Sequence, residues 1–126
     1  MYCKIKTIEG EKIFQDSVIM HISGVAMIDM NVQTKYLYVN AKGTNHLVFE
    51  GNATNAEVIL TGAARLQAME LLVQDMHINC AGASHAEIMV ENQLWAQAAG
   101  SSKILYKGKP NILQKIAVGG SIVERL

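Results

Sequence analysis

The sequence predicts an all-β solenoid of about six rungs, each about 19 residues long. Three observations carry that prediction. Gly24, Gly43, Gly62, Gly82 and Gly100 are separated by 19, 19, 20 and 18 residues, and the Gly119-Gly120 pair continues the series. Small or apolar residues recur at every second position on both sides of each glycine, the period of a strand. A unit this short cannot bury its own apolar face, so the units must stack. A helical solenoid would instead show a period near 3.6 and repeats longer than about 30 residues.

The elements follow in order along a single domain, residues 1–126. Residues 1–16, "MYCKIKTIEGEKIFQD", place Tyr2 or Cys3, Ile5, Ile8, Ile13 and Phe14 in the pattern of an N-terminal cap, a covering hairpin or an extra rung. Residues 17–126 hold the repeats "VIMHISGVAMI", "LYVNAKGTNHL", "EVILTGAARLQ", "HINCAGASHAE", "WAQAAGSSKIL" and "KIAVGGSIVER". The positions two and four before each glycine, from Ile22 and Met20 to Ala98 and Ala96, are expected to point inward. So are the positions two and four after it, among them Ile28, Leu47, Leu66 and Ile104. Each unit then reads as strand, tight glycine turn, strand and a looser corner such as "EGNATN" or "KGKPN". Stacked about 4.8 Å apart, six rungs make a body about 25–30 Å long. "SIVERL" still lies inside a repeat, so the exposed solenoid end is expected to pair with another chain, giving a homo-oligomer, or with further residues.

Composition narrows the function classes. Lys+Arg equals Asp+Glu at 11 each, so no global field favours nucleic acid or an anionic membrane. No apolar run reaches the 18 or so residues of a membrane-spanning helix, and no membrane insertion is expected. Lys4 follows Met1, Tyr2 and Cys3 without an apolar h-region, so no signal peptide is visible. The two cysteines, Cys3 and Cys80, lack the spacing of a disulfide framework or metal site, and Cys80 falls in the inward column. Neither metal nor cofactor is expected.

The "GAS" and "GSS" turns between short alternating strands, with the "YKGKPN" corner before the last rung, resemble the bacterial head GIN domain family. The resemblance covers roughly residues 16–126 and departs at Gly24, which is followed by "VAM". It implies a right-handed β-helix-like solenoid with tight Gly/Ser turns. It further implies an extracytoplasmic location in the cell envelope or at the surface, and an adhesin-head role without an established catalytic site.

Any binding residues would stand on the outward columns. Three residues after the glycines come Met27, His46, Arg65, His85 and Lys103, the last four a basic stripe. It reads as a solvated face or as a shallow track for anionic glycan, strengthened when histidines protonate. Five residues before the glycines stand Ile19, Tyr38, Glu57, His77 and Trp95. Tyr38, His77 and Trp95 are the candidates there for binding glycan or protein, because exposed rings suit both. The next column, His21, Asn40, Ile59, Asn79 and Gln97, offers amides that can bond one another.

Catalysis finds little support. No nucleophile elbow occurs, and the glycine turns belong to the repeat rather than to phosphate loops. Glu50, Glu70 and Glu91 near the distal corners are the one acid group that stacking would bring near, and the chain is expected not to be an enzyme. Two functional classes follow: a surface domain that binds glycan or protein, and an intracellular scaffold resembling the bactofilins, β-solenoids that polymerise end to end.

Overall fold

The computed structural model describes residues 7–14 and 17–125. Every element in it is a strand: β1 (Thr7–Phe14), β2 (Ser17–Gly62), β3 (Arg65–Gly82), β4 (His85–Ala98), β5 (Lys103–Lys107), β6 (Ile112–Ala117) and β7 (Ile122–Arg125). Among the described residues these strands pair in parallel, in the order β1-β2-β3-β4-β5-β7 with β6 also on β4. Parallel pairing with a near-constant offset is the signature of a β-solenoid. His46 lies opposite Arg65, Arg65 opposite His85, His85 opposite Lys103, and Lys103 opposite Ile122. The predicted rungs of about 19 residues are therefore the rungs observed.

The two-residue period buries what it was expected to bury. Ile22, Ala41, Leu60, Cys80 and Ala98 form one inward column, and Ile28, Leu47, Leu66, Ala86 and Ile104 another. Each fully buried aliphatic side chain of this kind contributes about 1.5–3 kcal/mol. Cys80 is a free thiol in this column, and burial pushes its pKa up to about 12. Cys3, with Tyr2 and Ile5 of the expected cap, lies outside the described residues. Within them β1 runs parallel to β2, Thr7 opposite Met27 and Phe14 opposite Gln33, as an added strand rather than a hairpin.

Three of the four buried polar residues among those described lie beside a turn glycine, and the turn explains them. Asn45, Ser84 and Ser102 each follow a turn glycine by two residues. Each donates to the carbonyl three residues back: Asn45 to Lys42 at 2.9 Å, Ser84 to Ala81 at 3.0 Å, Ser102 to Ala99 at 2.8 Å. A carbonyl turned out of the ladder at the corner thus finds a donor inside the same turn.

The glycine corner is tighter, and the opposite corner less loose, than the sequence suggested. β2 stays in ladder geometry for 46 residues, through Gly24 and Gly43. "EGNATN" is no open loop either, since Glu50 faces Glu70, Gly51 faces Leu71 and Asn55 faces Asp75. Its bend is absorbed by register shifts between Val48 and Glu50 and between Ala68 and Leu72. Among the described corners on that side, "KGKPN" is the one that interrupts the strands, between β5 and β6. Beyond it the last rung exposes Leu113, Ile116, Val118 and Ile122.

Candidate functional site

Side chains that alternate outward from the strand before each glycine stand in columns, and two columns converge on a groove. The first is the predicted one, in which Glu57 lies opposite His77, and His77 opposite Trp95. The second is set seven residues before the glycines: Asn55 opposite Asp75, and Asp75 opposite Gln93, with Tyr36 at the same offset from Gly43. Together they line a cavity of about 230 Å³ whose apolar part is completed by Ala56 and Met76.

The groove is ringed by aromatics at both ends. Trp95 is 41% exposed and meets His77 edge-on, with ring centres 5.9 Å apart and planes at 74°. An edge-to-face pair leaves one face of the indole open to a ligand. At the far end, the Tyr36 hydroxyl donates to Glu57 Oε2 at 3.3 Å. Partial burial, and after it the Glu57 charge and that hydrogen bond, hold the Tyr36 hydroxyl above its ordinary value of 10.0. Asp75 is steadied in turn, because Asn92 Nδ2 donates to its Oδ1 at 2.9 Å. Lys and Arg are absent from the described lining.

The structure sorts the other candidates. Tyr38 is half-buried and packs against His21, ring centres 5.8 Å apart, away from the groove. Tyr36 takes the place the sequence reading assigned to it. The basic stripe does form, His46, Arg65, His85 and Lys103 in one register column. Its histidines, however, face a neighbouring column: His46 Nε2 lies 3.5 Å from Gln67 Oε1, and His85 Nε2 3.4 Å from Glu87 Oε1. Glu87 thereby offsets the stripe's charge where an anion would sit. In the amide column Asn79 donates to Gln97 at 3.4 Å. Among the acids, Glu50 and Glu70 are neighbours, but Glu91 lies apart with Gln74 donating to it at 3.2 Å. Among the described residues no cluster of three His, Cys, Asp or Glu could hold a metal ion, and no helix is long and apolar enough to cross a membrane.

Of the glycines, Gly24, Gly43, Gly62, Gly82, Gly100 and Gly119 adopt positive φ, and so do Gly51 and Gly108 at the opposite corner. Gly120 does not, so one glycine of the final pair makes the turn.

A family model described as "Putative auto-transporter adhesin, head GIN domain" matches residues 4–110. The chain belongs to the head GIN domain family. The resemblance drawn from the glycine turns is thereby established over most of the chain. No functionally curated protein matches the sequence. Two solved structures share the fold of this head GIN domain. One, from Bacteroides fragilis NCTC 9343 and titled a "putative adhesin", is 19% identical with a TM-score of 0.79, over 98% of this chain and 53% of that one. The other, a "putative adhesin" from Parabacteroides distasonis ATCC 8503, is 18% identical with a TM-score of 0.65, over 99% of this chain and 63% of that one. The head GIN domain thus spans between about half and two thirds of those chains.

Proposed function

We propose that this head GIN domain is a non-catalytic, adhesin-like binding domain of the cell envelope or surface, holding glycan or protein in the groove between Tyr36 and Trp95. The observation that carries this reading is an exposed indole sharing one groove with two oriented carboxylates on a parallel sheet face. Adhesin-type family membership and the adhesin titles of two structures with its fold support the setting. The basic stripe is the weaker surface, because Glu87 stands beside His85.

The test is cell fractionation with external protease, followed by adherence of beads coated with wild type or Trp95→Ala. Envelope location, external cleavage and a several-fold drop in adherence are expected. Cytosolic protein, or adherence indifferent to Trp95, would refute the proposal.

A second reading, a scaffold assembling end to end, is favoured by one observation: the apolar residues Leu113, Ile116, Val118 and Ile122 exposed on the last rung. Sedimentation decides it. Assembly that grows with concentration and is abolished by Ile116→Lys would support end-to-end pairing, and a strict monomer would remove it.

A further inference from the structure

We infer that the Tyr36–Trp95 groove takes a neutral oligosaccharide of about three linked rings, laid across the rungs with one ring stacked on Trp95; this rests on the binding reading above. Charge comes first. Glu57 and Asp75 project into the groove without a Lys or Arg among its described lining. A sialylated or uronate-bearing glycan would bring its carboxylates against these two. The stripe of His46, Arg65, His85 and Lys103 lies past the glycine corner, on the strand that follows the turn, and cannot compensate.

Donor and acceptor balance comes next. The outer column alternates amide and carboxylate, Asn55, Asp75, Gln93, so donors and acceptors are interleaved along the groove. A hydroxyl gives and accepts hydrogen bonds and can satisfy both kinds of group. A lysine or arginine side chain only donates, and would leave the amide donors unmet. Both acids are already oriented, Glu57 by Tyr36 and Asp75 by Asn92, and each keeps its second oxygen for a ligand. Preorganised acceptors of this kind lower the ordering cost of binding.

Length follows from the repeat. From Tyr36 through Asn55 and Asp75 to Gln93 is three rung spacings, about 14 Å. One ring or polar group is presented per rung, and a pyranose advances by roughly one rung spacing per residue. A single sugar would meet Trp95 and His77 but not Tyr36.

Trp95 is the only tryptophan; because it also borders a cavity on its Gln114 and Ile116 side, Tyr36→Ala assigns an emission change to the groove. The experiment is a fluorescence titration with neutral tri- to pentasaccharides, their monosaccharides, and sialylated and uronate oligomers of matched length, with polylysine as the cationic probe. A neutral series is expected to shift the emission, its trisaccharide binding about tenfold tighter than the monosaccharide. In Tyr36→Ala that length advantage should vanish while monosaccharide binding persists. By calorimetry Trp95→Ala should lose about tenfold or more, and Lys107→Ala should match wild type. Circular dichroism confirms that each variant is folded.

A silent neutral panel, or a preference for acidic sugars or polylysine, overturns the neutral-sugar assignment. If Trp95→Ala still impairs adherence in that case, the binding reading stands without it. If adherence is also unchanged, both fall.

Discussion

At the glycine corner the chain reverses in the same way rung after rung, whereas at the opposite corner it reverses differently from one rung to the next. A Cβ placed on Gly62 would stand 2.8 Å from the Gly43 carbonyl oxygen, and one on Gly82 equally close to that of Gly62. Each turn is thus seated on the backbone of the turn before it, and only glycine tolerates both the contact and the positive φ. The distal corner uses glycine at Gly51 and Gly108 and absorbs the remaining bends in register shifts. Its backbone contacts are closer still, with a Cβ on Gly51 only 2.1 Å from Val32 O. The strict corner fixes the stack, and the Tyr36–Trp95 groove lies on the strand that runs from the irregular corner to the strict one.

Loading both corners with a side chain should give the largest effect. Gly62→Val should cost about 4 kcal/mol, from left-handed strain and backbone overlap together. Gly51→Val should cost as much, while Gly120→Ala changes stability by less than about 1 kcal/mol because its φ is ordinary and its nearest contact is 3.7 Å away. Urea melts of the three variants give the answer. A mild Gly51→Val would mean that the distal corner relaxes where the glycine corner cannot.

The next effect tests how dry the core is behind the glycine corner. Cys80 ionises at about 12 when folded, against its ordinary 9.0 when unfolded. Above pH 9 the unfolded chain therefore loses its proton first, so stability falls as pH rises from 9 toward 12. By pH 11 the loss is about 2–3 kcal/mol relative to Cys80→Ala in the same buffers. Equal pH slopes for the two proteins would contradict the burial.

Smaller by half is the turn hydroxyl. Ser84→Ala removes the bond to Ala81 and should cost about 1 kcal/mol in a thermal melt. Smallest is the distal corner's own repulsion, where exposed Glu50 and Glu70 stand directly opposite. Glu70→Gln should stabilise by about 0.5 kcal/mol, and the gain should fade in high salt.

Much of this architecture was legible in the sequence because its causes are local and recur. A glycine with small neighbours marks a turn, and an alternation of Ile22, Ala41, Leu60 and Cys80 with polar residues marks an inward column. The place of the inward hydrogen-bonding residues Asn45, Ser84 and Ser102 was equally visible, although their bonds to the carbonyls behind them were not. Tyr36 was missed for a physical reason. It stands one column outward from Tyr38, and which of the two reaches Glu57 depends on how the strand leaves the distal corner. Register shifts such as those at Val48/Glu50 and Ala68/Leu72 show that this corner varies between rungs, and no periodicity announces it. A tally of the column seven residues before each glycine, Tyr36, Asn55, Asp75 and Gln93, was the signal available.

The direction of the backbone hydrogen bonds has a mechanical consequence. His85 N donates to Ala64 O, Lys103 N to Ser84 O and Ile122 N to Ser102 O, each bond joining one rung to the next. A pull between Ser17 and Arg125 therefore loads the rungs in series and peels them singly, instead of shearing whole sheets at once. Every rung freed releases roughly 60–70 Å of chain, so a force–extension trace should climb in steps of that size. Under tension the domain would yield by lengthening, and the rungs still stacked would go on holding what they hold.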